Sequence, residues 1–183
     1  MPELNNQNFN HLKIHTQYSI CEGAIKIDNL KDFCKEKKIP CLGISDTSNL
    51  CGALEFAENI SKVGTQPIIG TQIYFRFEDT TGLLPLIALN ENGYKRIIEL
   101  SSRSYLENDA LSDPHLDVKD LLIDTEGVSL LSGTIQGLFG KLFEKGRLDE
   151  ISKLYRSLSS KFNDNFYLEI QRHGDQNEIA FEK

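Results

Sequence analysis

Two histidines, one aspartate and one glutamate stand where short apolar runs give way to polar turns: His15, Glu22, Asp46 and His173. Imidazole nitrogens and carboxylate oxygens are the donors that hold transition metals, and an ion so held can polarise a phosphate or activate water. The intervals between the four are too wide to identify a metal by spacing alone. Two other readings stay open on the residues. In one, His15 and His173 are hydrogen-bonded strand-end residues and Asp46 caps the next loop or helix. In the other, Ser19, His15 and Asp46 form a nucleophile, base and orienter. Signatures of other chemistries are missing: the sequence contains no G-x-G-x-x-G, no P-loop, no H-E-x-x-H and no G-x-S-x-G.

These residues need elements to position them, and the hydrophobic pattern supplies an alternating series. Strands are expected at 9–15, 41–44, 67–77, 83–89, 128–131 and 166–171, with 67–77 and 83–89 forming a hairpin about the acidic turn 78–82. Helices are expected at 28–38 with Asp28 as N-cap and Leu30, Phe33 and Cys34 on one face, and at 52–63 with Leu54, Ala57 and Ile60 on the inner face and Gly64 ending it. Further helices are expected at 94–105 with Ile97, Ile98 and Ser101 inward, at 136–144, at 149–161, and from 175 to the end. Asn92-Gly93 falls in a connection, 107–119 reads as a loop, and 118–122 as one helical turn. The glycines of Gly137-Leu138-Phe139-Gly140 read as packing or boundary residues. The series argues for an α/β fold with mostly parallel strands, and an open sheet or a closed barrel fits it equally. In such folds functional groups gather at the C-terminal ends of strands, where these four residues lie. With no internal linker the chain reads as one domain, 1–183, and it stops inside a helix pattern as a fragment would.

Composition excludes several classes. The 183 residues are 39% hydrophobic and 26% charged, a globular balance with no run long enough to span a membrane. The start MPELNNQNFNHL has neither the basic nor the apolar segment of a secretory signal. Cys21, Cys34, Cys41 and Cys51 make no C-x-x-C pair and read as reduced thiols, so a cytoplasmic location is expected. A net charge of −7 argues against a stand-alone nucleic-acid-binding domain, which tends to carry a basic stripe. The nearest approach to one, Lys35-Glu36-Lys37-Lys38, reads as a solvated helix end.

Several stretches together carry a family resemblance. The opening Phe9-x-His11-Leu12-x-x-His15-Thr16-x-Tyr18-Ser19 is succeeded by Gly43-Ile44-Ser45-Asp46 and Asn49-Leu50-Cys51-Gly52. Then come Gln66-Pro67-Ile68-Ile69-Gly70, the run LIALNENGY from Leu86 to Tyr94, and Leu130-Leu131-Ser132-Gly133. Tyr167-Leu168-Glu169-Ile170-Gln171 with His173-Gly174 closes the series. In this order they resemble the polymerase and histidinol phosphatase (PHP) domains at the N-terminus of bacterial replicative DNA polymerase III alpha subunits. The resemblance implies a distorted (β/α)7 PHP-type barrel, C-terminally truncated, with the last strands of the barrel missing from residues 1–183.

Family members with an intact site resemble polynuclear metal phosphoesterases, and against them this chain departs residue by residue. Lys13-x-His15 stands for a His-x-His pair, Asp46-Thr47 for Asp-His, Gln72 for an acidic ligand, Leu83 for an imidazole and Thr134 for a thiolate. His15, Glu22, Asp46 and His173 keep ligand chemistry, and the family's final Asp-x-His pair would fall beyond Lys183. A lysine charge ~4 Å from a divalent ion at an effective dielectric near 20 costs on the order of 8 kcal/mol before relaxation. Lys13 is instead expected to pair with Glu22 or Asp46. The resemblance therefore implies a degenerate site with no cofactor, or at most a single Zn or Mn held by His15, Glu22 and His173. The implied role is structural: supporting the remaining polymerase domains and docking the proofreading exonuclease subunit. DNA would be met only through the full holoenzyme, and nucleotidyl transfer would belong to a later domain. The rival reading is an active metal-dependent phosphoesterase, a 3'-5' exonuclease using the residual ligands.

Overall fold

Helix α1 (Ile27–Lys37) buries Ile27, Leu30 and Cys34, the i, i+3, i+7 stripe of an amphipathic helix. Asp28 lies in its first turn and Lys35 and Lys37 in its last, as the helix dipole favours. The helix begins one residue earlier than Asp28, so Lys26 rather than Asp28 occupies the N-cap position. The computed structural model describes residues 9–109, 111–174 and 176–182, and the chain divides after Thr71 into two compact units.

In the first unit, α1 leads to strand β1 (Cys41–Thr47), helix α2 (Ala53–Ser61) and the opening of strand β2 (Gln66–Phe77), which pairs with β1. Ile27, Leu30, Cys34, Leu42, Ile44, Phe56 and Ile60 form the core, with Ile14, Tyr18, Ile39, Val63 and Ile69 packed on it. Each fully buried aliphatic or aromatic side chain of this set is worth roughly 1.5–3 kcal/mol of transfer free energy. Helix α2 turns Ala53, Phe56 and Ile60 inward, leaving Leu54 71% exposed rather than on the inner face. The strand expected at 9–15 is reduced to isolated parallel pairings, Ile14 with Ile44 and Thr16 with Ile25.

In the second unit, the rest of β2 turns at Glu78 and Asp79 into strand β3 (Thr80–Ala88), the expected hairpin. Helix α3 (Glu91–Leu106) starts before Tyr94 because the Asn90 side chain accepts from the Gly93 amide at 3.0 Å. Asn92-Gly93 therefore lies within the first turn of α3 and not in a connection. Gly93 is required there by a close backbone approach: a Cβ would stand 1.8 Å from the Gly127 carbonyl oxygen. Ile97 and Leu100 are buried, while Ile98 is 41% exposed.

Strand β4 (Leu116–Asp117), inside the expected loop, pairs parallel with β2 and leads into helix α4 (Val118–Leu121). Strand β5 (Val128–Leu131) runs antiparallel to β3, opposing Leu130 to Leu86, and strand β6 (Phe166–Tyr167) runs parallel to β5. The sheet is thus mixed: the tight hairpin reverses β3, while β4 runs parallel to β2 and β6 to β5. Helices α5 (Leu138–Glu144) and α6 (Leu148–Phe162) bury Leu138, Leu142, Leu154 and Leu158. The strand expected over 166–171 keeps only its first two residues, and the terminal helix is α7 (Glu178–Phe181). Residues 175 and 183 of that expected helix lie outside the described residues. Among the described residues, no helix is long and apolar enough to cross a membrane.

Candidate functional site at the end of strand β1

The segment leading to His15 is laid beside β1 by backbone hydrogen bonds. The Gly43 amide donates to the His11 carbonyl at 2.7 Å and the Ser45 amide to the Ile14 carbonyl at 2.8 Å. Strand alternation then sets what each side chain meets. Leu42 and Ile44 point into the core, and Asp46 lies on the same side of the strand, 1% exposed. One Asp46 oxygen, Oδ1, accepts from the Thr16 amide at 2.6 Å and from the Ser19 hydroxyl at 2.7 Å. The other, Oδ2, accepts from the Thr16 hydroxyl at 2.7 Å. The Asp46 carbonyl in turn accepts from the Thr71 hydroxyl at 2.6 Å.

Thr47, the next residue, donates its hydroxyl to the exposed carboxylate of Glu22 and its amide to the Ser19 hydroxyl at 3.1 Å. Asn49 ties the loop from the other side, its side-chain amide donating to the Tyr18 and Thr47 carbonyls at 3.0 and 2.9 Å. Tyr18 lays its ring over Gly52 and donates its hydroxyl to Glu55 at 2.6 Å. That carboxylate raises the Tyr18 pKa above the ordinary phenol value. His15 is half-buried with its Nδ1 enclosed and without a hydrogen-bond partner, and Lys13 is half-buried two residues before it.

The other predicted positions lie in the second unit. Gln72 is buried in β2 and Leu83 is half-buried in β3, bridged to Gly137. The Thr134 hydroxyl accepts from the Gln136 amide at 3.3 Å in the turn after β5. His173 is exposed, and its backbone amide donates to the buried Glu178 carboxylate at 3.0 Å.

The geometry decides among the readings that the residues left open. Ser19 donates directly to Asp46 with no imidazole between them, so the Ser19-His15-Asp46 relay is not assembled. Asp46 does not cap the loop or helix after it; it receives donors from a loop about thirty residues earlier, Thr16 being 30 positions away. Thr16 and Thr71 are partners that sequence reasoning missed, since a hydroxyl carries no mark of a partner remote in the chain. Among the described residues, no three His, Cys, Asp or Glu side chains converge into a group able to hold a metal ion. A carboxylate offers about four acceptor directions. Three are taken at Asp46 by the Thr16 and Ser19 donors, which leaves about one for any other partner. Thr47 presents a hydroxyl, and the Glu22 carboxylate is engaged with it. The residues present do not fit a cluster of divalent ions.

Comparison with known proteins gives a consistent picture. The family model described as PHP domain matches residues 11–173. The DNA polymerase III subunit alpha of Caulobacter vibrioides is 37% identical over 191 aligned positions, covering 100% of this chain and 17% of that protein. The subunit of the same description from Rickettsia felis is 35% identical over 167 positions, 90% of this chain and 14% of the relative. That from Thermus aquaticus is 34% identical over 180 positions, 91% and 15%. The chain thus spans about one-sixth of the length of these relatives. In three dimensions it is similar to a protein from Bifidobacterium adolescentis described as a metal-dependent phosphoesterase, with a TM-score of 0.59 at 12% identity. That likeness covers 94% of this chain and 81% of the other, and supports the PHP-type α/β fold expected from the sequence.

Proposed function

The chain belongs to the PHP domain family, and from that premise we propose that it is the N-terminal PHP region of a replicative polymerase III alpha subunit. In this reading it acts in DNA replication as structural support for the polymerase domains and as a docking body for the proofreading exonuclease subunit, in the cytoplasm. It does not itself catalyse a reaction, and its ancestral metal site has decayed. The observation that carries the reading is the use of Asp46 and Glu22 as acceptors for Thr16, Ser19 and Thr47. Lone pairs so engaged are committed to hydroxyl and amide donors, which a cation would have to compete with. Lys13 adds a positive charge in the same stretch of chain as His15.

The runner-up is a metal-dependent phosphoesterase or 3'-5' exonuclease working through His15, Glu22, Asp46 and His173. The enclosed and unpartnered His15 Nδ1 is the observation that favours it. Elemental analysis of the purified chain separates the two. The scaffold reading expects less than one-tenth equivalent of Zn or Mn, no chelator-sensitive hydrolysis of nitrophenyl phosphate, and heat on calorimetric titration with the exonuclease subunit at tens of micromolar. Stoichiometric metal together with hydrolysis abolished by chelator would overturn it in favour of the hydrolase.

A further inference from the structure

We infer that Asp46 is a positioning residue that anchors the 16–23 loop to β1 and thereby delivers Glu22 to Thr47. The loop closes on itself through its own backbone: the Ser19 amide donates to the Thr16 carbonyl at 2.9 Å. The Glu22 and Gly23 amides donate to the Ser19 carbonyl at 3.0 and 2.9 Å, and the Gln17 amide to the Ile25 carbonyl at 2.9 Å. These bonds fold the loop without attaching its turn to the strand. Three of the attaching bonds converge on the Asp46 carboxylate, which takes the Thr16 amide, the Thr16 hydroxyl and the Ser19 hydroxyl, beside the Asn49 amide on the Tyr18 carbonyl. Ser19 works in both directions, donating to Asp46 and accepting from the Thr47 amide at 3.1 Å, so the anchor and the strand end are one network.

One further feature sets Asp46 apart from the other contacts of the loop. It is 1% exposed, so water cannot replace a lost partner without opening the fold. The claim deepens the scaffold reading and rests on it only where metal is concerned; loop anchoring is independent of any docking partner.

Hydrogen exchange on the 183-residue chain tests it. In Asp46→Asn one carboxylate oxygen becomes an NH2 donor, so acceptance from Thr16 and Ser19 cannot all survive. Exchange at the Thr16, Glu22 and Gly23 amides is expected to speed at least about tenfold, while amides of α3 and β5 in the second unit keep their rates. Ser19→Ala and Thr16→Val each remove one donor, keep the carboxylate, and stand in should Asp46→Asn fail to fold. Each is expected to speed the same amides several-fold, and the effects of Ser19→Ala and Asp46→Asn should combine to less than their product because they share a bond. Zn2+ and Mn2+ titrations of parent and Asp46→Asn are expected to coincide. Unchanged loop exchange in the variants overturns the inference, as does a tenfold loss of Zn2+ or Mn2+ affinity in Asp46→Asn with the loop still protected. A chain that fails to bind the exonuclease subunit but loses loop protection on substitution refutes docking and leaves the anchor standing.

Discussion

Replacing Gly52 by alanine sets two effects of opposite sign against each other. Gly52 has φ −82° and ψ −10°, an ordinary helical conformation that alanine adopts without strain. Restricting the unfolded chain alone would therefore stabilise the protein by about 0.4–1 kcal/mol. The added Cβ, however, would lie 2.7 Å from Cδ2 of Tyr18, closer than real side chains approach. The ring cannot swing away at no cost, because its hydroxyl is held by Glu55 at 2.6 Å. Overpacking of this kind costs about 1–3 kcal/mol, so the net expectation is a loss of about 1–2 kcal/mol. The sequence contains no tryptophan, so urea unfolding is best followed by far-ultraviolet circular dichroism, where the midpoint shift reads the change in free energy. Introducing the same substitution into Tyr18→Ala removes the obstacle, and there it should be neutral or stabilising. A Gly52→Ala chain as stable as its parent, or an undiminished loss on the Tyr18→Ala background, would refute the packing argument.

Acid should loosen the turn between β2 and β3. Asp79 is held at about 2 by the Arg147 guanidinium, with Thr80 and Lys145 adding to it, below the ordinary 3.8. A depressed carboxylate pKa contributes stability that is fully present above about pH 4 and is lost as pH falls through about 2. Asp79→Asn should remove that component, so acid titration monitored by exchange at the Thr80 and Thr81 amides should flatten in this window. Asn90→Ala removes the acceptor that caps α3 and should cost about 1 kcal/mol, read as a lower urea midpoint with an unchanged slope.

Much of the fold was legible because burial periodicity survives folding. Leu30 and Cys34 announce α1, although Phe33, read on the same face, is 39% exposed and Ile27 takes its place; the β-branched run 67–77 announces β2. Helix faces were misjudged by single residues: Leu54 and Ile98 each sit one position, about 100°, away from Ala53 and Ile97, which are buried. The last strand was overread because pattern cannot show where backbone partners stop. After Tyr167, the Glu169 amide turns to the Ser132 hydroxyl at 2.9 Å instead of a neighbouring strand. At the site, the chemical types of His15, Glu22 and Asp46 were visible, but their engagement was not. Whether the Asp46 carboxylate faces an ion or a hydroxyl depends on Thr16 and Ser19, residues whose side chains fit a turn, a strand or a surface equally well.

Strand β6 ends the hydrogen-bonded strand order, and just beyond it Leu168 and Ile170 are 69% and 64% exposed, with Tyr167 at 53%. An apolar sheet margin of this kind invites self-association. What opposes it in solution is mutual repulsion among molecules of net charge −7. That repulsion vanishes near the isoelectric point of about 5.1, so mildly acidic buffer brings bare oily margins together just as their electrostatic spacing is withdrawn. Exposed apolar side chains at this border therefore make association of the chain sensitive to the pH of the surrounding buffer.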